Sequence, residues 1–340
     1  MLVGLEYQIL IVVRFKGGLG NQLFQYALYR RLQLLGRSVK ADLSEFSMIV
    51  VPPYIREFPH RPFELDVFDG VSIDFAQPED MMVYSKEKTL LTSPAILENL
   101  LSDQMRVQEK PLGFGNHIRR IFKRSSSHLK ADTLDIDQNK PLKPWLLEIA
   151  YFEFYPQVLS LQDVCLDGIW QSPGYFKEIR SILLNELCFK PSVKPSNADM
   201  IRQIESADSV SIHIRRTDYL EHDNTYGGVC TEEYYLKAIN LIRASVSQPH
   251  FFMFSDDPDW VRDNWRLKDM TVVDINKTDE QYYDMFLISR CKHNIIANSS
   301  YSWWAAWLNQ NTQKIVISPR LWERDKLVPS HRVVPGWSYI

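Results

Sequence analysis

Cysteine is scarce in this chain: Cys165, Cys188, Cys230 and Cys291 are the only four in 340 residues, and no C-x-x-C pair exists. That spacing excludes a disulfide framework and argues against a structural zinc site. Four thiols in a reducing compartment are expected. No long hydrophobic run is present either. The most apolar N-terminal stretch, residues 9–13, ends at Arg14, far short of the roughly 20 residues of a spanning helix. Glu6 stands ahead of it and no basic segment precedes it, which speaks against a secretory signal. Charge of one sign is not in excess: 39 Lys and Arg face 42 Asp and Glu, a formal net charge of −3. A general nucleic-acid binder carries a strongly basic balance instead. The chain has no G-x-S-x-G turn and no G-x-x-x-x-G-K-[ST] loop, so a serine hydrolase and a P-loop kinase have no support. It has no short-period repeat and no low-complexity tract.

What is present is alternation. Residues 9–15 read as a strand, 16–20 as a glycine turn, and 21–35 as a helix with apolar residues at 24, 27, 28, 32 and 35. Gly36 stops that helix, and 37–42 reads as a second strand. Residues 50–140 are rich in proline and mixed in polarity. Within them, 117–130 forms a basic stretch that reads as a solvated helix face, with a membrane surface as the competing reading. Residues 166–172 suggest a strand and turn, and 173–187 a helix. The segment 190–196, KPSVKPS, is proline-punctuated and places a domain boundary. Beyond it, strands are expected at 209–215, 250–255, 271–274, 294–297 and 314–318. Helices are expected at 197–206, 231–244, 280–291 and 302–309, with Thr231 as a cap. Strands alternating with helices make an α/β chain of doubly wound sheets, with domains at 1–190 and 191–340. Ligands of such folds bind at the carboxyl ends of the strands, so chemistry is sought just after each strand.

Four constellations stand there. Gly17, Gly18, Leu19, Gly20 and Asn21 follow the first strand, where glycines let a ligand approach the backbone and a helix start favours anions. Gly18, Gly20 and Asp42 also match part of a dinucleotide fingerprint, but Leu23 stands where its third glycine belongs. In S-I-H-I-R-R-T-D, alternation puts Val210, Ile212 and Ile214 toward the core and Ser211, His213 and Arg215 on the other face. Arg215 and Arg216 suit a diphosphate through bidentate charged hydrogen bonds, or else pair with Asp218 and pin the turn. Asp256 and Asp257 end the apolar strand F-F-M-F, fit to accept from a ribose or purine or to cap the next segment. Asn298, Ser299 and Ser300 open an aromatic helix, as an anion site or as plain caps; its tryptophans are assigned to packing. Two D-x-D patterns, 135–137 and 257–259, are short enough to arise by chance, and no metal is expected.

KGGLGNQLFQYA, SIHIRRTDYL, FFMFSDD and NIIANSSYSWWAAWL, in this order, resemble the α-1,2-fucosyltransferases of glycosyltransferase family eleven. LDGIWQSPGYF and YGGVCTEEYYLKAI are similar to the same family, whereas residues 45–145 match poorly. The resemblance implies a GT-B fold of two Rossmann-like domains facing a central cleft. It implies GDP-β-L-fucose as donor, inversion to an α-linkage, no cofactor and no metal. It places His213 and Arg215 on the nucleotide and diphosphate, Asp256 on the guanosine, Ser299 and Ser300 on phosphate, and Asn21 near the sugar; Arg216, Asn298, Gly18 and Gly20 are further residues expected to bind the donor. Thr217 departs from the glycine common there. Arg215, Asp218 and Asn21 are the expected catalytic residues, with Glu221 and Asp223 as further candidates for a base. The expected acceptor is a galactose-terminated glycan, lipid-linked, handled by a bacterial cytoplasmic enzyme on the inner membrane face. The rival readings are a GDP-sugar transferase of another linkage or sugar, an NAD-type oxidoreductase, and a sugar-binding module without a diphosphate site.

Overall fold

The computed structural model describes residues 9–47, 62–81, 84, 88–91, 145–149, 154–190, 194–221, 225–277 and 280–340. The basic stretch 117–130, the D-x-D pattern 135–137 and Asp223 lie outside the described residues. So does the side chain of Glu221.

Two parallel sheets organise the chain. The first holds β1 (Ile11–Arg14), β2 (Val39–Asp42), β3 (Lys88–Leu91), β4 (Trp145–Ile149) and β5 (Val164–Asp167), in the order β2-β1-β5-β4-β3. The second holds β6 (Asp208–Ile214), β7 (Pro249–Ser255), β8 (Met270–Val273), β9 (His293–Ile295) and β10 (Val316–Ser318). A hairpin of β11 (Leu321–Glu323) and β12 (Lys326–Leu327) follows, and β13 (Ser338–Tyr339) closes the second sheet in the order β13-β10-β9-β6-β7-β8. The chain winds outward from β6 through β7 to β8, then returns to the other side through β9 and β10. The winding direction therefore switches between β6 and β9, where departing loops leave a crevice at the carboxyl edge. The α/β class and the two parallel units expected of a GT-B chain are both present.

Alternation works on both faces because both are covered, as parallel sheets require. Val210, Ile212, Ile214, Phe251 and Met253 pack in one cluster, while Phe252 and Phe254 face another. That second cluster also contains Val13, Phe15, Leu23 and Phe24 of the first unit with Trp303 and Trp304 of the second. Phe24 lies with its ring centroid 4.8 Å from Trp303 and 5.1 Å from Trp304, so the aromatic helix is packing material that joins the two units. The five helices that matter below are α1 (Leu19–Leu34), α2 (Pro195–Ser206), α3 (Glu232–Ser245), α4 (Gln281–Arg290) and α5 (Ser300–Leu308). Gly36, at φ +76°, ends α1 as expected. Thr231 caps α3 by accepting from the Tyr234 N–H.

The strand and turn expected at 166–172 are present: β5 ends at Asp167 and the chain turns sharply at Trp170 (φ +53°). One sequence expectation fails locally. The helix expected at 173–187 is two 3-10 turns, Pro173–Tyr175 and Lys177–Ile179, followed by a helix only over Arg180–Glu186. Ser172 caps the first turn at the Gly174 N–H, and a Cβ on Gly174 would sit 2.6 Å from the Phe154 ring. The local contact, not helical periodicity, sets this segment.

Candidate active site

The constellations converge on the carboxyl edges of both sheets. Arg215 leaves β6, Asp256 leaves β7, and Asn298 to Ser300 leave β9, so three of them flank the switch point. The fourth follows β1 and reaches across: a Cβ on Gly20 would lie 2.5 Å from the Tyr301 nitrogen and 2.7 Å from Ser300 Oγ. The starts of α1 and α5 therefore touch, backbone to backbone.

Neither start is capped. Gly18 has no side chain, Ser299 makes no side-chain cap bond, and neither helix has an acidic residue in its first turn. Helix α3, which only packs, has both a threonine cap and two glutamates there. An uncapped helix start carries a positive dipole end of the kind that binds anions, and two such starts meet here.

Beside them stands Arg215, largely buried. Its Nη2 donates to Asp218 Oδ2 at 2.8 Å, and its Nη1 lies 3.0 Å from Asp256 Oδ2. Burial alone would lower its pKa, but Asp256 and Asp218 more than offset this and hold it above the ordinary arginine value. Asp218 Oδ1 is buried with no hydrogen-bond partner among the described residues. Arg216 turns the other way, with its guanidinium 3.6 Å above the Trp260 ring and its Nε on Asp257. His213 is buried and its Nδ1 has no hydrogen-bond partner among the described residues. Burial, and next the charge of Arg215, push its pKa down to about 4, so it is neutral at physiological pH.

Other residues are committed to the scaffold. Asp256 accepts from the Arg216 N–H and from Thr217 Oγ1 besides pairing with Arg215. Placed on the guanosine by resemblance, it fastens the end of β7 to the turn after β6. The side chain of Asn298, an expected donor-binding residue, is engaged within the protein. Its amide donates to the Tyr226 and Trp322 carbonyls and accepts from Cys230, while Tyr219 holds its carbonyl. Its side chain is spent on shaping the loop that presents Ser299. Asp257 caps the helix Pro258–Asn264, which uses up one D-x-D pattern. Among the described residues no cluster of three metal-ligating side chains occurs.

Sequence reasoning passed over two features. Arg14 bridges Asp42 at 2.8 Å and Asp167 at 2.9 Å, and Lys16 reaches Asp167 at 2.6 Å, across the carboxyl ends of β2, β1 and β5. Asp42 also accepts from Ser44, so the acidic residue of the dinucleotide reading is occupied by protein. Gln171, four residues past β5, donates to Asn21 Oδ1 at 2.8 Å. Behind the site, Asp284 on α4 accepts from Asn276, and burial raises its pKa to about 7.

The two shifted groups predict opposite pH limbs. His213 binds a proton more readily when unfolded, so its neutral burial costs stability as pH falls from about 6.5 toward 4. Asp284 holds its proton more tightly when folded, so stability falls as pH rises from its ordinary value toward about 7. Asp284→Asn, which mimics the neutral acid, is expected to remove the second limb and leave the first. Denaturant melts of both proteins at pH 4.5, 6 and 8 read this. Parallel curves would mean Asp284 is ionised in the native state.

Two parallel α/β units whose strand ends and helix starts meet have the architecture in which nucleotide-type ligands commonly bind. Residues 120–340 match the family described as Glycosyl transferase family 11, and the chain belongs to that family. It is 32% identical over 318 residues to the O-antigen biosynthesis glycosyltransferase WbnK of Escherichia coli, covering 90% of this chain and 92% of that one. It is 29% identical over 325 residues to an alpha-1,2-colitosyltransferase of Escherichia coli, covering 94% of each. A galactoside alpha-(1,2)-fucosyltransferase 2 of Bos taurus is 27% identical over 180 residues, half of this chain and 51% of that protein.

Proposed function

We propose that this enzyme transfers L-fucose from GDP-β-L-fucose to the 2-hydroxyl of a terminal galactose, with inversion and without a metal. The observation that carries it is the meeting of two uncapped helix starts at Gly20 and Ser300, beside Arg215, in a family 11 chain. Residues 1–190 serve the acceptor and 191–340 the nucleotide. Gly18, Gly20, Ser299 and Ser300 hold the diphosphate through backbone and hydroxyl donors. His213, as a neutral imidazole, contacts the nucleotide. Arg216 frames the rim against Trp260. Asn298 and Asp256 position their neighbours.

The acceptor hydroxyl attacks the anomeric carbon from the face opposite GDP. As that bond forms, the bond to the β-phosphate oxygen breaks and its electron pair stays on the phosphate. Arg215 and the helix starts stabilise this growing charge more in the transition state than in the ground state, which is the condition for catalysis. The proton passes to Asp218 Oδ1, the carboxylate oxygen that Arg215 does not hold. No metal is needed where fixed dipoles and a cation already face the leaving group.

The acceptor we favour is a lipid-linked O-antigen glycan at the inner membrane face, in line with the name of the Escherichia coli relative. Among the described residues no helix is long and apolar enough to cross a membrane. A second reading, transfer of colitose from GDP-colitose, is favoured by the name of the other bacterial relative.

The test is transfer to lactose in EDTA, with GDP-fucose and GDP-colitose compared and product linkage read by NMR. Full activity in EDTA with an α-1,2-fucosylated galactose is expected. A preference for GDP-colitose would install the second reading. Activity that EDTA abolishes and Mg²⁺ restores would overturn metal independence.

A further inference from the structure

Gln171 stands out among the residues the proposed mechanism leaves unused. It follows β5, which pairs with β1 in the register Arg14 to Asp167. Sequence-remote loops thus emerge side by side, one carrying Asn21 and the other Gln171. Between β5 and Gln171 the chain passes through Trp170 at φ +53°, a conformation that bulky residues avoid. The next N–H, that of Ser172, donates back to the Trp170 carbonyl at 2.7 Å. The Gln171 carbonyl accepts from Arg332 at 3.1 Å. A tight, strained turn held from the C-terminal segment therefore aims this side chain, and such strain concentrates where function requires it.

The side chain it aims is only half satisfied. Gln171 is 7% exposed. Its Nε2 donates to Asn21 Oδ1 at 2.8 Å, whereas its Oε1 is buried with no hydrogen-bond partner among the described residues. Leaving a buried acceptor unmade is costly, and native proteins rarely do so without a purpose. The bond also settles Asn21. With Oδ1 engaged, its amide presents N–H donors. The pair thus offers one acceptor and one donor. A hydroxyl, which donates once and accepts twice, is the group that fits both.

Position says which hydroxyl is within reach. Asn21 is the neighbour of Gly20, whose backbone touches Ser300 and Tyr301 where the two helix starts meet. In a sugar nucleotide the transferred sugar is bonded directly to the terminal phosphate, so a phosphate held there leaves its sugar beside Asn21 and Gln171. The attacking sugar must reach the same carbon. We infer that Gln171, with Asn21, recognises a sugar hydroxyl at the reaction centre and thereby sets sugar specificity. This rests on the GDP-sugar reading given above.

The experiment compares wild type with Gln171→Met, which keeps the length of the side chain and removes both polar atoms. Each enzyme is assayed with GDP-fucose, its monodeoxy analogues, and monodeoxy galactoside acceptors that keep the attacking 2-hydroxyl. Wild type is expected to lose at least about tenfold in kcat/KM on one analogue, because a site built for a hydroxyl rejects its absence. Gln171→Met is expected to lose that discrimination while melting within a few degrees of wild type. A deoxy donor as the rejected analogue assigns the contact to the transferred sugar, and a deoxy acceptor assigns it to the attacking one. Should Gln171→Met not fold, Gln171→Asn, which withdraws the amide by one carbon, serves in the same comparison. Discrimination equal to wild type in the variant overturns the inference alone. A wild type that transfers no sugar from GDP-fucose or GDP-colitose overturns the donor reading, and this inference falls with it.

Discussion

Arg215→Ala is expected to lower transfer by about 10²–10³-fold in kcat, the usual cost of removing one preorganised donor from a developing oxyanion. The guanidinium is largely buried and gripped by two carboxylates, 2.8 Å from Asp218 and 3.0 Å from Asp256. It is therefore held in place by the protein, and in the proposed mechanism it needs no reorganisation as charge grows on the leaving phosphate. The same burial complicates the test. Removing the cation leaves Asp256 and Asp218 facing each other unpaired, which costs about 3–5 kcal/mol for a buried pair. A lost activity could then be lost folding.

A second substitution separates the two. Arg215→Ala with Asp256→Asn relieves the unpaired charge while keeping Asp218, the proposed base, so it should recover much of the melting temperature but none of the turnover. Recovery of turnover in the double variant would mean Arg215 serves only to neutralise Asp256. Arg216→Ala is the matched control. That arginine stacks on Trp260 and pairs with Asp257, away from the helix starts, and its loss should cost less than about tenfold, in keeping with the small worth of rim ion pairs.

Much of this arrangement was legible in the sequence, for a physical reason. Strand alternation, proline punctuation and glycine turns are local, and β6, β7 and β9 fall within a residue or two of their expected places. The turn Arg215–Asp218 was readable as an ion pair or as a phosphate clamp, and the structure has the ion pair in place. What the sequence could not divide were residues whose chemistry suits two tasks. Asp256 and Asn298 carry acceptors that bind a ligand as readily as they fasten a turn, and only the geometry reveals that Thr217, Tyr226 and Trp322 engage them. Gln171 lies inside LDGIWQSPGYF, but its role is not legible there, because its importance comes from a left-handed tryptophan and from Asn21, 150 positions away. The tryptophans of α5 pack against Phe24 and Phe176, as three at helical spacing suggest.

The contact between the two units makes the other large prediction. Gly20→Ala adds one methyl group where the nearest atoms, the Tyr301 nitrogen and the Ser300 carbonyl carbon, would be 2.5 and 2.6 Å away. Both belong to backbone, so no side chain can swing aside. Favourable carbon contacts lie at about 3.5–4.0 Å, so the starts of α1 and α5 must separate by roughly 1 Å. Overpacking of this kind costs about 1–3 kcal/mol in stability. The functional cost should be larger in proportion. A displacement of 1 Å between groups that must act together can cost about 10²-fold in rate, and here it parts the two positive helix ends proposed to share one anion. GDP affinity and kcat/KM for GDP-fucose should both fall. Gly36→Ala supplies the comparison, because Gly36 sits at the other end of the same helix, at φ +76°, with nothing within 4 Å of an added Cβ. It should lower stability by about 1 kcal/mol through backbone strain alone, with GDP binding unchanged. If calorimetric titration finds GDP bound equally well by both variants, the diphosphate is not held between the two helix starts, and the nucleotide must lie wholly on the second sheet.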